Sequence, residues 1–174
     1  VHTCNNGFFL SRYDCEDDER VLQPIPYILI FGPNKTIFTY VRAKDIQHYG
    51  DARLFDKHSI GLGGHVIIND GPDYITKCLY RELKEEIVFE GDYKKPTLVG
   101  TLFSSDLPVD RVHFGLIYAM YVDGKIYPNE DSIASHEIRT IKELNENTQL
   151  TINSETWTKL LIPHLDFIRR KIEI

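Results

Sequence analysis

The sequence is poor in cysteine and has no long apolar run. Its 174 residues include three cysteines, Cys4, Cys15 and Cys78, and no C-x-x-C pair. An odd, widely spaced set argues against a disulfide framework, so we expect a reducing, cytoplasmic setting. A bilayer-spanning helix needs about 20 consecutive apolar residues. Because the sequence contains no such stretch, we expect no membrane association.

Positive charge is also scarce. Lysine and arginine number 20 against 26 aspartates and glutamates, which gives a formal net charge of −6. Duplex nucleic acid is bound mainly through positive charge that neutralises phosphates, so we expect no duplex partner. The chain is 42% hydrophobic and 26% charged, a composition that excludes overall disorder. Its length is that of one domain with a core of its own.

The domain organisation follows from this composition and from one acidic run. Residues 16–19 are all acidic, and we interpret residues 1–20 as an N-terminal arm whose structure the sequence leaves open. Residues 21–174 then form a single domain, because no internal repeat or low-complexity tract divides them. Whether the protein is a monomer or a homodimer stays open.

The stretch from Gly61 to Phe89 contains an unusual concentration of carboxylates. Glu82, Glu85 and Glu86 lie within five residues, so a helix places them on one face. Like charges at this spacing destabilise an isolated helix, whereas a hard divalent cation would use them as oxygen ligands. The opposite face carries an apolar stripe that can pack on a core. Its members are Ile75, Leu79, Leu83 and Ile87.

Gly64, the run Arg81-Glu82-Leu83 and the pair Glu85-Glu86 resemble the Nudix box, G-x5-E-x7-R-E-U-x-E-E-x-G-U with U apolar. The resemblance extends over about residues 26–165. Within the superfamily, the chain is similar to a sparsely characterised branch described as predicted MutT-type phosphoesterases. It implies an α/β fold: an α/β/α sandwich with a mixed β-sheet, a box loop-helix-loop and a C-terminal helix.

The chain departs from this box in its loop and at its end. Counting forward from Gly64 places the first box acid at Asp70, whereas counting back from Arg81 places it at Asp73, so the loop carries a three-residue insertion. Val88 stands where the late box glycine is expected. We expect Asp73 to lie near the metal, because an insertion is more easily absorbed in the flexible turn that holds Asp70.

The resemblance also implies site residues. Mg²⁺, with Mn²⁺ as an alternative, would be held by Glu82, Glu85, Glu86 and the carbonyl of Gly64, and Arg81 would brace the carboxylates. A later acid serves as ligand or base in many family members. We predict Glu137 for that role, with Glu130 in reserve.

Substrate contacts are predicted from a strand over residues 111–122. Arg111 and His113 alternate along it and could both meet phosphates, and we group Asp73 with them as a substrate-facing residue. For His113 a hydrogen-bonded core position is the competing interpretation, as it is for His65. After this strand, the dipeptide Asp123-Gly124 predicts a hairpin turn. Further on, Ser154 predicts the N-cap of a C-terminal helix.

The expected function is divalent-metal-dependent hydrolysis of a phosphoanhydride in a small nucleoside-diphosphate-linked substrate. In this chemistry a cation neutralises the diphosphate oxygens that otherwise repel an attacking water. The alternative is a Nudix-fold nucleotide-binding or sensor module with weakened catalysis. The altered box acid and Val88 favour that alternative, and the intact glutamate trio opposes it.

Overall fold

The computed structural model describes residues 7–44 and 54–172, so Cys4 lies outside it. The strands among these residues are β1 (Gln23–Gly32), β2 (Thr36–Arg42), β3 (His58–Ser59), β4 (Gly61–Leu62), β5 (Ile87–Tyr93), β6 (Thr97–Leu102), β7 (His113–Pro128) and β8 (Ile133–Thr140). The helices are α1 (Arg12–Cys15), α2 (Tyr74–Glu86), α3 (Pro108–Arg111), α4 (Ile141–Glu146), α5 (Thr148–Ile152), α6 (Thr156–Leu161) and α7 (Leu165–Arg170).

The strands form one mixed sheet with β1 and β7 at its centre. These two run parallel, with pairs from Gln23↔His113 to Phe31↔Tyr121. β1 also pairs antiparallel with β2 and β4, and β2 with β3 and β8. On the other side, β7 pairs antiparallel with β5 and β6. This confirms the predicted mixed sheet.

Helices cover both faces of the sheet, so the predicted α/β/α sandwich is confirmed. Successive side chains of a strand point to opposite faces. On β1, Ile28 and Ile30 therefore pack in the core cluster under α2, whereas Tyr27 and Leu29 pack with the C-terminal helices. The predicted apolar stripe is buried: Ile75, Leu79 and Leu83 on α2, and Ile87, which begins β5 instead of continuing the helix, are all 5% exposed or less.

The predicted turn at Asp123-Gly124 is wrong, because β7 continues through it to Pro128. Its second half pairs with β5, from Ile87↔Pro128 to Tyr93↔Val122. Gly124 lies opposite Gly91, and a Cβ on Gly124 would stand 1.9 Å from the carbonyl oxygen of Glu90. The glycine therefore permits a close approach of two strands and does not reverse the chain.

Two further predictions near helix ends are corrected. Arg111 closes the short helix α3, and β7 begins only at His113, so the two do not alternate along one strand. The last long helical segment begins at Thr156 with Glu155 as N-cap, and the Ser154 hydroxyl donates to the Leu150 carbonyl instead. Among the residues described, no helix is both long and apolar enough to cross a bilayer.

Candidate metal centre

The three predicted metal-binding glutamates lie on α2 in different degrees of burial. The side chain of Glu85 is 49% exposed and that of Glu82 12%, whereas Glu86 as a residue is 7% exposed. The order follows from the helix itself. Because Leu79 and Leu83 hold α2 on the sheet, Glu86 at i+3 from Leu83 turns inward and Glu85 outward.

Arg81 connects these carboxylates to the loop before the helix. Its Nη1 donates to Glu82 Oε1 at 2.5 Å and to Glu85 Oε2 at 3.0 Å. Its Nε and Nη2 donate to the two oxygens of Asp70 at 2.9 and 3.1 Å. Nη2 also donates to the carbonyl oxygen of His65 at 2.9 Å. The guanidinium thus connects two glutamates of α2 with the loop before the helix.

The loop places Asp70, not Asp73, against Arg81. Asp70 is 4% exposed and also accepts from the backbone amide of Ile67 at 2.9 Å. Asp73 is the N-cap of α2 at φ 66°, ψ 49°, and its side chain makes no capping hydrogen bond. Asp70, six residues after Gly64, is therefore the loop acid that pairs with Arg81.

Glu86 holds the most strongly perturbed carboxylate of the site. Burial raises its pKa to about 8; Arg42 opposes that rise, while the charges of Glu82 and Glu130 add to it. Its atom Oε2 is buried and has no hydrogen-bond partner among the described residues. A buried, partnerless carboxylate oxygen is costly unless a cation binds it.

Gly64 closes the site opposite the helix. A Cβ at this position would lie 2.3 Å from Glu82 Oε1, so only glycine lets the strand end approach the carboxylate. Burial raises the pKa of Glu82, and Arg81 works against that rise. The crowded carboxylates of α2 and the orphaned Glu86 oxygen fit a hard divalent cation.

The structure brings Glu130 to this group and keeps Glu137 away from it. Glu130 raises the pKa of both Glu82 and Glu86 through its charge. Its loop is tied to the end of α2, where the Asn129 amide donates to the Glu86 carbonyl at 2.8 Å. Glu137 pairs with Thr39 on β2, forms an ion pair with Arg139, and lies on the sheet face opposite α2.

Of the predicted phosphate contacts, His113 lines a cavity and Arg111 does not. Arg111 donates to Ser105 O at 3.0 Å and to Glu19 Oε1 at 3.1 Å. The cavity measures about 240 Å³ and adjoins the box glycines. Its lining includes Arg12, Ile25, Tyr27, Arg42, Gly63, Gly64, His65, Val109, His113, Glu155 and Trp157.

A buried polar network in this cavity wall was missed by the sequence analysis. Glu155 Oε1 accepts from Tyr27 at 2.7 Å and from Ser59 at 2.5 Å, and its Oε2 accepts from Arg42 Nε at 3.1 Å. Tyr27 and Glu155 are 128 positions apart in the chain. No local sequence pattern predicts this hydrogen bond, because the two residues meet only when α6 packs onto the sheet.

No family model matches the chain. Protein YmaB of Bacillus subtilis is 27% identical over 164 residues, which are 90% of this chain and 77% of that protein. The crystal structure of Tm1382, a candidate Nudix hydrolase, is 26% identical with a TM-score of 0.72, over 94% of this chain and 80% of that one.

A structure from Jonesia denitrificans, a candidate asymmetric diadenosine tetraphosphate hydrolase, is 13% identical with a TM-score of 0.59. The match covers 88% of this chain and 99% of that one, and at this identity it shows the fold alone. The Tm1382 match at 26% identity and the glutamates of α2 that Arg81 contacts identify the class of protein. The chain belongs to the Nudix superfamily.

Proposed function

We propose that this protein hydrolyses a phosphoanhydride in a small nucleoside-diphosphate-linked substrate and depends on a divalent cation. The observation that carries the proposal is the buried, partnerless Oε2 of Glu86 among the charges of Glu82 and Glu130. Such an arrangement is unfavourable in the absence of a cation and useful in its presence, which is typical of a site kept for function.

Glu82, Glu85, Glu86 and the Gly64 carbonyl would hold Mg²⁺, or Mn²⁺ in its place. When bound, this ion supplies charge neutralisation at the diphosphate oxygens and lowers the pKa of water. The protein supplies orientation: Arg81 fixes the Glu82 and Glu85 carboxylates in one geometry. The ionic brace lowers the reorganisation needed when the substrate is bound.

For the proton of the attacking water we propose Glu130 as acceptor, with Glu137 as the competing residue. Glu130 lies near enough to Glu82 and Glu86 to shift their pKa values. It is exposed, and the Ser132 hydroxyl donates to it at 2.7 Å. Measuring turnover of Glu130→Gln and Glu137→Gln separates the two candidates. If the base is Glu130, on the α2 side of the sheet, only Glu130→Gln should lose turnover.

The cavity beside Gly63 and Gly64 suits a nucleoside carrying negative charge. Tyr27 and Trp157 meet edge to face at 5.3 Å and give it an aromatic wall, which also holds Arg42 in its ion pair with Glu155. Aromatic rings and guanidinium groups bind bases and phosphates respectively. The diadenosine tetraphosphate named for the Jonesia protein belongs to the same substrate class.

The three residues predicted to face the substrate differ in how directly they could contact it. His113 lines the cavity and can contact a bound ligand directly. Arg111 would have to exchange its Glu19 partner for a phosphate, and Asp73 would be reached only by a substrate that extends along the box loop. We place the activity in the cytoplasm, in a monomer or homodimer.

The test is a panel of nucleoside triphosphates, sugar nucleotides, dinucleotides and capped RNA, assayed with Mg²⁺ and Mn²⁺. Even changes outside the metal ligands cost 10–100-fold, so Glu85→Gln and Glu86→Gln should each lower turnover by more than about 100-fold. Glu146→Gln, an exposed change on α4, is the matched control. Nucleotide binding without turnover across the panel would favour the sensor module.

A further inference from the structure

A second group of ligating side chains lies outside the box. Glu16 follows α1 in the N-terminal arm, His65 follows Gly64, and His113 opens β7. One ligand atom from each lies within 4.8 Å of the others. The two imidazole Nε2 atoms are 3.1 Å apart, and Glu16 Oε1 is 3.7 Å from His65 Nε2.

The orientation of His113 is fixed by its other nitrogen. Nδ1 lies 2.6 Å from the carbonyl oxygen of Val109, and a carbonyl can only accept a hydrogen bond. Nδ1 therefore carries the proton, and Nε2 presents its lone pair toward His65 and Glu16. A histidine held in this way by a backbone carbonyl is the usual outer-sphere arrangement around a metal ion.

We propose that Glu16, His65 and His113 bind a transition-metal ion of the Zn²⁺ class. Tetrahedral Zn²⁺ sites have Zn–N bonds of about 2.0–2.1 Å, so two ligand nitrogens lie about 3.3 Å apart. The 3.1 Å separation of the imidazoles is already close to this value. Two imidazoles and one carboxylate select zinc-like ions, whereas the all-oxygen group on α2 selects Mg²⁺.

The third ligand is positioned by contacts that do not involve the histidines. Arg12 Nε donates to Glu16 Oε1 at 2.8 Å, and Gln23 Nε2 donates to the carbonyl of Cys15 at 3.4 Å. Arg12 and Gln23 thus hold the arm over His65 before any ion arrives. The Glu16 side chain is 23% exposed, and the oxygen that Arg12 binds is the one that lies 3.7 Å from His65 Nε2.

Three protein ligands leave one position of a tetrahedral ion open. His65, His113 and Arg12 line the cavity described above, so that position is available to water or to an anionic group in the cavity. Binding would also fasten the N-terminal arm to the domain. This ion is distinct from the one proposed for α2, and its binding does not depend on nucleotide hydrolysis.

The experiment is a titration of the metal-free full chain with Co²⁺, whose tetrahedral complexes absorb strongly in the visible, with excess Mg²⁺ present to occupy oxygen sites. We expect one Co²⁺ per chain with a tetrahedral spectrum that Zn²⁺ abolishes. His65→Gln and Glu16→Gln should each weaken Co²⁺ binding by more than about 100-fold. His164 is exposed and does not belong to the proposed ligand group, so His164→Gln should bind Co²⁺ with the affinity of wild type.

Glu85→Gln removes a ligand of the other proposed site and should leave the Co²⁺ affinity unchanged. Circular dichroism confirms that each variant is folded; should His65→Gln unfold, Glu16→Gln decides, because Glu16 belongs to the arm. A wild-type chain without a tetrahedral spectrum overturns the proposal. Unchanged Co²⁺ binding in the folded Glu16 and His65 variants does so as well.

Discussion

Arg81 and Asp70 form a two-point ion pair, with Nε to Oδ1 at 2.9 Å and Nη2 to Oδ2 at 3.1 Å. Asp70 lies six residues after Gly64, so the loop keeps the box register up to this point. The extra residues follow it, at the cis Gly71–Pro72 bond and at Asp73 in the left-handed region. We expected the turn that holds Asp70 to absorb them and Asp73 to keep its distance to Arg81. The loop instead absorbs the insertion at the positions next to the helix.

Replacing Asp70 should therefore cost more than replacing Asp73. Hydrogen bonds to charged groups are worth about 1.5–3 kcal/mol, so Asp70→Asn should lower the free energy of unfolding by about 2 kcal/mol. It should also lower turnover, because Arg81 then orients Glu82 and Glu85 less firmly. Asp73→Asn should change stability by less than about 0.5 kcal/mol, since asparagine tolerates positive φ. Urea unfolding of both variants measures the difference, and equal losses would contradict it.

The same pair predicts how stability depends on acid. Burial alone would raise the pKa of Asp70, but hydrogen bonds from Arg81 and Ile67 outweigh it and lower the pKa below the ordinary 3.8. A group with a depressed folded-state pKa stabilises the fold above its unfolded pKa and loses that effect as pH falls through the folded value. The stability difference between wild type and Asp70→Asn should therefore be constant above pH 3.8 and narrow below it. A difference independent of pH would contradict the assignment.

Gly64 and Gly100 give a matched pair of alanine substitutions. A Cβ on Gly64 would stand 2.3 Å from Glu82 Oε1, whereas a Cβ on Gly100 meets nothing within 4 Å. Gly64→Ala should displace the Glu82 carboxylate and weaken Mg²⁺ binding by about 10-fold or more. Gly100→Ala should leave it unchanged. Isothermal titration with Mg²⁺ compares them, and equal affinities would show that Glu82 is not a ligand.

Mg²⁺ should raise the melting temperature through the carboxylates of α2. A ligand that binds only the folded state adds about 2.7 kcal/mol at 100 times its dissociation constant. The gain should vanish in a variant with Glu82, Glu85 and Glu86 all changed to Gln. An equal Mg²⁺-induced shift in both proteins would place the ion elsewhere.

Local patterns were sufficient for the parts of this protein that depend on neighbours in the chain. The spacing of Glu82, Glu85 and Glu86 and the opposing stripe of Ile75 and Leu83 follow from 3.6 residues per turn, whatever surrounds the helix. The mixed sheet between helical layers was predicted too, through the resemblance. These features required no knowledge of distant contacts.

Tertiary structure decided what depends on pairing between distant segments. β7 runs through Asp123-Gly124 because β5 supplies a partner strand, and that partner overrides a good local turn signal. Glu130 rather than Glu137 lies near enough to raise the pKa values of Glu82 and Glu86, because the loop after β7 is bound to the end of α2.

The meeting of Glu16, His65 and His113 is of the same kind. Their positions in the chain are separated by 48 residues and more, and only the parallel pairing of β1 with β7 brings them together. By itself the sequence determined the helix face that carries the carboxylates. The packing of the strands decided which other residues lie beside that helix face and line the neighbouring cavity. Side chains far apart in sequence become neighbours only when the sheet fixes their register.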